Sequence, residues 1–178
     1  MRIIGGAYNG RVIHPPKGLE VRPTTDLAKE SLFNILNNRV DFEGIAVLDL
    51  FAGTGNISLE FASRGAERVI SVEKNHKNAA FIAKAAADFG MKNLQVRKAD
   101  AFRYLKDFKL NFDIIFADPP YEMKETAGIP GLVFSNTILK EEGWLIVEHD
   151  KTLNFSNQAG FYDERKYGKV HFSFFQQK

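Results

Sequence analysis

The chain has 178 residues, enough for one domain with a short extension, and its 44% hydrophobic content with 16 Phe is ample for a packed core. There is no cysteine, which excludes disulfides and thiolate metal sites and fits a reducing compartment. The net charge of +2 hides an asymmetry: residues 1–40 carry six basic and three acidic side chains, the remainder 18 and 19, so the N-terminal segment is the part expected to meet a polyanion. No apolar run approaches membrane-spanning length, and a soluble, cytoplasmic protein is expected.

In chain order, Arg2-Ile3-Ile4-Gly5 and Arg11-Val12-Ile13-His14 flank Asn9-Gly10, a dipeptide that tolerates the positive φ angles of a tight turn, so the spacing predicts a short β-hairpin. Pro15, Pro16 and Gly18 form a linker. Thr24-Thr25-Asp26 then offers an N-cap and a favourable anion to a helix with Leu27, Leu32, Ile35 and Leu36 along one face, ending near Asn37-Asn38. Arg2, Arg11, Lys17 and Arg22 are the candidate contacts to nucleic-acid phosphates. This division separates an N-terminal extension, residues 1–40, from a catalytic domain, residues 41–178.

From Gly44 onward short apolar strands at 45–50, 68–72, 94–97, 112–117 and 144–147 alternate with helical stretches at about 56–64, 75–89, 100–108 and 131–140. Gly65 and Gly90 stand where helix C-caps are expected. Such alternation predicts an α/β fold, a mostly parallel sheet covered on both faces. The ending differs, because 161–167 and 169–175 flank Gly168 with no helix between them, which predicts a C-terminal antiparallel hairpin.

Three strand ends carry the chemistry. The first strand runs through Asp49-Leu50-Phe51-Ala52 into Gly53-Thr54-Gly55, a turn that lets backbone approach a ligand and opens a helix N-terminus. Ser58 stands where a dinucleotide fingerprint has its third glycine, which disfavours a pyrophosphate and with it a nucleotide-dependent oxidoreductase. Glu73 ends the second strand and can accept both hydroxyls of a ribose. Asp100-Ala101 follows the third, where Asp100 either accepts from an adenine amino group or caps the next helix. Carboxylates at successive strand tips, with no basic residue in the glycine turn, suit an adenosine joined to a cationic sulfonium.

The fourth strand ends in Asp118-Pro119-Pro120-Tyr121. In an open parallel sheet this tip lies beside the first strand, at the switch point where ligands bind. The prolines fix the backbone, aiming the Asp118 carboxylate and the Pro119 carbonyl one way. A base amino group, whose lone pair is delocalised into the ring, needs two such acceptors to stabilise the charge developing during attack on a methyl group. Tyr121 adds a face on which an extruded base can stack. His14, His76, His149 and His171 show no metal-ligand spacing and no neighbouring carboxylate pair, so packing or surface roles are expected and no metal site. Glu148 either shapes the pocket or is structural. Trp144 and Phe172, Phe174 and Phe175 read as core.

The glycine turn, Glu73 and the Asp118-Pro119-Pro120-Tyr121 motif together resemble the amino-methylating branch of the class I S-adenosylmethionine-dependent methyltransferases. Arg2-Ile3-Ile4-Gly5-Gly6, Gly10-Arg11, Arg22-Pro23-Thr24-Thr25-Asp26 and Leu32-Phe33-Asn34 narrow the likeness, over nearly the whole chain, to the RsmD family of bacterial 16S rRNA guanine-N2 methyltransferases. Ser63-Arg64-Gly65-Ala66 and Tyr167-Gly168 extend the resemblance. It implies a Rossmann-like seven-stranded sheet, S-adenosylmethionine as cofactor, and one guanine of small-subunit rRNA, free or in an assembling particle, as target. Two departures stand out: Asn9 where the family has Arg, and Lys84-Ala85-Ala86-Ala87 where it often has Asn. A DNA amino-methyltransferase is disfavoured by the short N-terminal segment, and a protein-glutamine methyltransferase by Asp in place of Asn at 118. A non-catalytic RNA-binding assembly protein is disfavoured by the intact motifs.

Overall fold

The structure, a computed structural model, describes residues 1–16, 18–19, 25–107 and 110–177. Seven strands form one sheet: β1 (Ala46–Leu50), β2 (Arg68–Glu73), β3 (Leu94–Lys98), β4 (Phe112–Ala117), β5 (Leu139–His149), β6 (Phe161–Tyr167) and β7 (Val170–Gln176). Their spatial order is β3-β2-β1-β4-β5-β7-β6. The first five are parallel, and β7 inserts antiparallel between β5 and β6. Among the described residues five α-helices connect and cover them: α1 (Asp26–Asn37), α2 (Asn56–Ser63), α3 (His76–Asp88), α4 (Ala101–Asp107) and α5 (Ile129–Ser135). This is the expected α/β class with its antiparallel C-terminal hairpin.

Both faces of the sheet are buried, so successive strand residues feed two cores. Val47, Ile114, Ile146, Phe172 and Phe174 pack with α1, α2 and α3, through Leu32, Phe33, Phe61 and Ile82. Leu48, Ile115, Val147 and Phe175 pack with α4 and α5, through Leu105, Ile129 and Val133. That two-sided burial is why β1 and β4 read as continuous apolar runs. Gly65 and Gly90 adopt φ of 97° and 67°, ending α2 and α3 as expected.

Four local expectations change. First, the N-terminal segments pair, but only as a single antiparallel bridge between Arg2 and Val12. The Asn9-Gly10 turn forms, with Arg11 N donating to Tyr8 O (3.1 Å) and φ of −50° at Asn9 and 82° at Gly10, but it closes a wider loop that also holds a 3-10 turn at Gly6–Tyr8. The loop is drawn onto α2: Tyr8 N donates to Ser63 Oγ (3.0 Å), and that hydroxyl donates to Gly5 O (2.6 Å). A Cβ on Gly6 would stand 1.8 Å from Ser63 O, so only glycine allows this approach.

Second, α1 is capped by Thr25, whose hydroxyl accepts from Ala28 N (3.2 Å), but its inward face is Ala28, Leu32, Phe33 and Leu36, with Leu27 70% exposed. Third, Lys29 is fully buried and belongs to the interior, not to the cationic surface. Fourth, α5 runs from 129 to 135 and β5 begins at Leu139. Asn136 Nδ2 donates to Leu132 O and Thr137 takes φ of 49°, which ends the helix before it reaches 140. Among the described residues no helix is long and apolar enough to cross a membrane.

Candidate active site

The chain reverses direction across the sheet between β1 and β4, whose residues pair from Val47↔Ile114 to Leu50↔Ala117. A cleft of about 530 Å³ opens at the C-terminal tips there. It is lined by Asp49, Phe51, Gly53, Thr54, Glu73, Asp100 and Ala101 from the first three crossovers, and by Asp118, Pro119, Pro120 and Tyr121 from the fourth. Every cofactor and catalytic residue expected from sequence therefore meets in one place, except Gly55. Gly55 sits behind the turn, where a Cβ would come within 2.9 Å of Ile82, so it lets α2 and α3 approach each other.

The turn after β1 is held open by its own backbone. Ala52 N donates to Val72 O (3.0 Å), Gly55 N to Ala52 O (2.7 Å), and Gly53 N to Glu73 Oε2 (2.8 Å). Phe51 adopts φ of 61°, a strained conformation for a residue with a side chain, and such strain gathers at functional sites. Its ring packs edge-on against Phe102 at 5.8 Å. Glu73 Oε1 accepts from Asn75 N (2.6 Å), so both oxygens of this buried carboxylate are fixed by main-chain donors. Each keeps a second lone pair for a ligand hydroxyl.

Asp100 answers the alternative left open for it: its Oδ1 accepts from Phe102 N (3.1 Å) and Arg103 N (3.2 Å), capping α4, and its Oδ2 lies 3.3 Å from Lys74 Nζ. These donors hold its pKa below the ordinary carboxylate value, the Arg103 backbone contact most of all. It still borders the cleft.

Asp49 is 1% exposed and accepts from Ser58 Oγ (2.5 Å). Burial pushes its pKa up to about 7, aided by the charges of Asp118 and Glu73 and opposed by Ser58. Ser58, in the place of the missing third glycine, is thus the hydroxyl that serves a buried acid. At the other wall Pro119 is buried and Asp118 half-buried, Asp118 N donating to Leu50 O (3.4 Å) across the β1–β4 seam. Tyr121 Oη donates to Glu148 Oε1 (3.4 Å), so Glu148, 2% exposed at the end of β5, braces the aromatic wall.

Sequence reasoning missed two contributors. Asn75 caps α3, accepting from Lys77 N (2.8 Å) and Asn78 N (3.3 Å), and Asn78 is buried with its Oδ1 lacking a hydrogen-bond partner among the described residues. Both border the cleft, although they precede the Lys84–Ala87 run in which an Asn was sought. Their signal was there in the Ser-Val-Glu-Lys-Asn stretch, an N-cap directly after a strand-tip acid.

Away from the cleft, Arg2 and Arg11 are exposed on the N-terminal segment. Lys17 and Arg22 lie outside the described residues. His149 and His171 are buried, as a packing role requires, and strand pairing brings them together with Glu164, the three ligating atoms within 4.8 Å of one another.

A doubly covered sheet of this order, with acidic tips around a glycine turn and an Asp-Pro-Pro-Tyr wall, is that of a class I S-adenosylmethionine-dependent methyltransferase. The family described as "Conserved hypothetical protein 95" matches residues 1–176, and the chain belongs to it, among the RsmD-like methyltransferases. YlbH of Bacillus subtilis is 34% identical over 164 residues, covering 90% of this chain and 88% of the relative. The ribosomal RNA small subunit methyltransferase D of Buchnera aphidicola subsp. Baizongia pistaciae is 30% identical over 179 residues, covering 98% and 91%. The solved structure of yhhF from Escherichia coli superposes with a TM-score of 0.87 at 30% identity, covering 100% of this chain and 98% of that one.

Proposed function

We propose that this chain methylates the exocyclic N2 amino group of a guanine in small-subunit (16S) rRNA. The observation that carries the reading is the convergence of Asp118-Pro119-Pro120-Tyr121 with Asp49, Glu73 and Asp100 on one cleft. Relatives matching 98% and 83% of the chain are small-subunit rRNA methyltransferases by name.

The cleft fits S-adenosylmethionine, which supplies a methyl group on a cationic sulfur. Glu73, Asp100 and Asp118 line it with carboxylates around the buried Asp49, and the buried Asn78 Oδ1 offers an acceptor still to be satisfied. Glu73 takes the ribose hydroxyls, Asp100 and Ala101 border the adenine, and Phe51, Gly53 and Thr54 with Asp49 face the methionine part.

On the substrate side, the Asp118 carboxylate and the Pro119 carbonyl accept the two hydrogens of the guanine amino group. They favour a pyramidal nitrogen and stabilise its developing positive charge. The nitrogen lone pair forms the new N–C bond as the S–C bond breaks, with its electrons returning to sulfur, and the extra proton leaves along the Asp118 hydrogen bond. Tyr121, steadied by Glu148, stacks on the extruded base. Residues 1–40 serve as the RNA-binding extension of the 41–178 domain, through Arg2, Arg11, Lys17 and Arg22.

The test is a map of methylated guanines in small-subunit rRNA from cells with and without the gene. One N2-methylguanine should vanish from the deletion strain and return with the wild-type gene but not with Asp118→Ala. An unchanged map refutes the reading.

A further inference from the structure

Outside the cleft the most chemically loaded cluster of described residues is where β5, β7 and β6 lie side by side. His149 pairs with His171 across β5 and β7, and Glu164 pairs with Ser173 across β6 and β7. All four side chains point to the face that carries Phe175 and Phe155. His171 Nδ1 lies 2.9 Å from Glu164 Oε1, and His149 Nε2 lies 3.9 Å from the same oxygen.

We propose that His149 Nε2, His171 Nδ1 and Glu164 Oε1 form a divalent transition-metal site, of a chemistry that suits zinc. Two imidazoles and one carboxylate are a zinc donor set, leaving a fourth position for water. Tetrahedral zinc with bonds of about 2.0–2.1 Å places its ligands about 3.4 Å apart. The two spacings to Glu164 Oε1, 2.9 and 3.9 Å, bracket that value, and all three ligating atoms lie within 4.8 Å of one another, so side-chain rotation must draw the set together around an ion.

The outer shell is already built. His149 Nδ1 lies 2.7 Å from Asp150 O and can only donate there, which fixes the tautomer that leaves a lone pair on Nε2. Ser173 Oγ, 2.8 Å from that Nε2, is placed to bond a metal-bound water. Phe155 packs edge-on against the His149 ring at 4.9 Å and shields it. Glu164 remains 27% exposed and gives an entry path, while Lys166 Nζ holds its other oxygen at 3.1 Å. An ion here would staple the C-terminal hairpin to β5, one residue beyond the Glu148 that braces Tyr121.

The experiment uses untagged full-length protein, stripped with a chelator and titrated with zinc against a chromophoric competitor, and with cobalt(II) followed by visible absorption. One equivalent of zinc, cobalt d–d bands and a zinc-dependent rise in Tm are expected. Glu164→Gln keeps the shape at a half-exposed position and should weaken zinc by more than the roughly 10–100-fold that loss of an outer-shell partner costs. The His14→Ala/His76→Ala double variant, which removes two exposed histidines, should bind as wild type. Absence of stoichiometric binding overturns the proposal. So does a Glu164→Gln protein that binds normally, or a His14→Ala/His76→Ala protein that does not.

Discussion

The titration of Asp49 sets a measurable link between pH, stability and cofactor affinity. Its carboxyl sits 1% exposed, with a pKa raised from 3.8 to about 7, by desolvation first and by Asp118 and Glu73 after that. In the unfolded chain it ionises near pH 4. The folded protein therefore binds a proton that the unfolded chain has lost between about pH 4 and 7, and this group's contribution to stability falls as pH rises through that window. The full displacement corresponds to at most about 4 kcal/mol, at 1.36 kcal/mol for each tenfold change.

Binding of a cation beside Asp49 has the opposite sense, since a sulfonium favours the ionised carboxylate. S-adenosylmethionine should then bind more tightly as pH rises from 5.5 to 8, by about fivefold over the unit below the pKa and levelling off above it. S-adenosylhomocysteine, with a neutral sulfur, should show a shallower slope. Asp49→Asn should flatten both. Calorimetry in buffers of different ionisation enthalpy counts the released proton directly. Equal pH slopes for the two ligands, or a slope that survives in Asp49→Asn, would refute the assignment of the titrating group.

Two further outcomes concern the substrate side. Asp118→Ala should slow single-turnover methyl transfer about 10²–10³-fold at saturating cofactor and RNA, with little change in cofactor affinity, because it removes one preorganised electrostatic contact; a wild-type rate in that assay excludes the role. Replacing Arg2 and Arg11 together by Gln should lower the slope of log K against log salt for rRNA binding by about 1.4–1.8, two phosphate contacts' worth; an unchanged slope removes both residues from the interface.

How much of this was legible beforehand depended on the distance over which each feature is encoded. The sheet was readable because β1, β2 and β4 are buried on both faces and need uninterrupted apolar runs, and because Glu73 and Asp118 stand directly at the ends of two of them. Features that need a partner far along the chain were not. Lys29 reads as one more surface cation until α2 brings Glu60 to it, 31 residues on. His149, Glu164 and His171 have no motif spacing at all; antiparallel register alone aligns them. The Asn9-Gly10 turn was readable, but the wider loop around it was not, because Ser63, far along the chain, claims two of its backbone groups.

Lys29 also shows how the N-terminal segment is fastened to the cleft. Its Nζ lies 3.4 Å from Glu60 Oε2 and 2.9 Å from Asn56 Oδ1, donates to Arg2 O, and is wholly buried, as is Glu60. Asn56 opens α2 and borders the cofactor cleft, whereas Arg2 is an exposed cation of the arm. Glu60 has further partners: Ile4 N donates to Oε2 (2.9 Å) and Arg64 Nε to Oε1 (2.8 Å). Removing the lysine charge with Lys29→Met strands a buried carboxylate, a loss of about 3–5 kcal/mol that Arg64 should hold to the lower end. Glu60→Gln strands Lys29 and loosens Arg64 together, and should cost more. The double variant strands neither Lys29 nor Glu60 and leaves only Arg64 without its carboxylate, so it should be more stable than the sum of the two losses implies. Urea unfolding of the three proteins measures that coupling, and strict additivity would show that the pair is not a unit. Lys29→Met should also weaken rRNA binding although it never meets RNA, because the Arg2 backbone loses its anchor. Loss of stability with rRNA affinity fully retained would mean that Arg2 is positioned by the Val12 bridge alone.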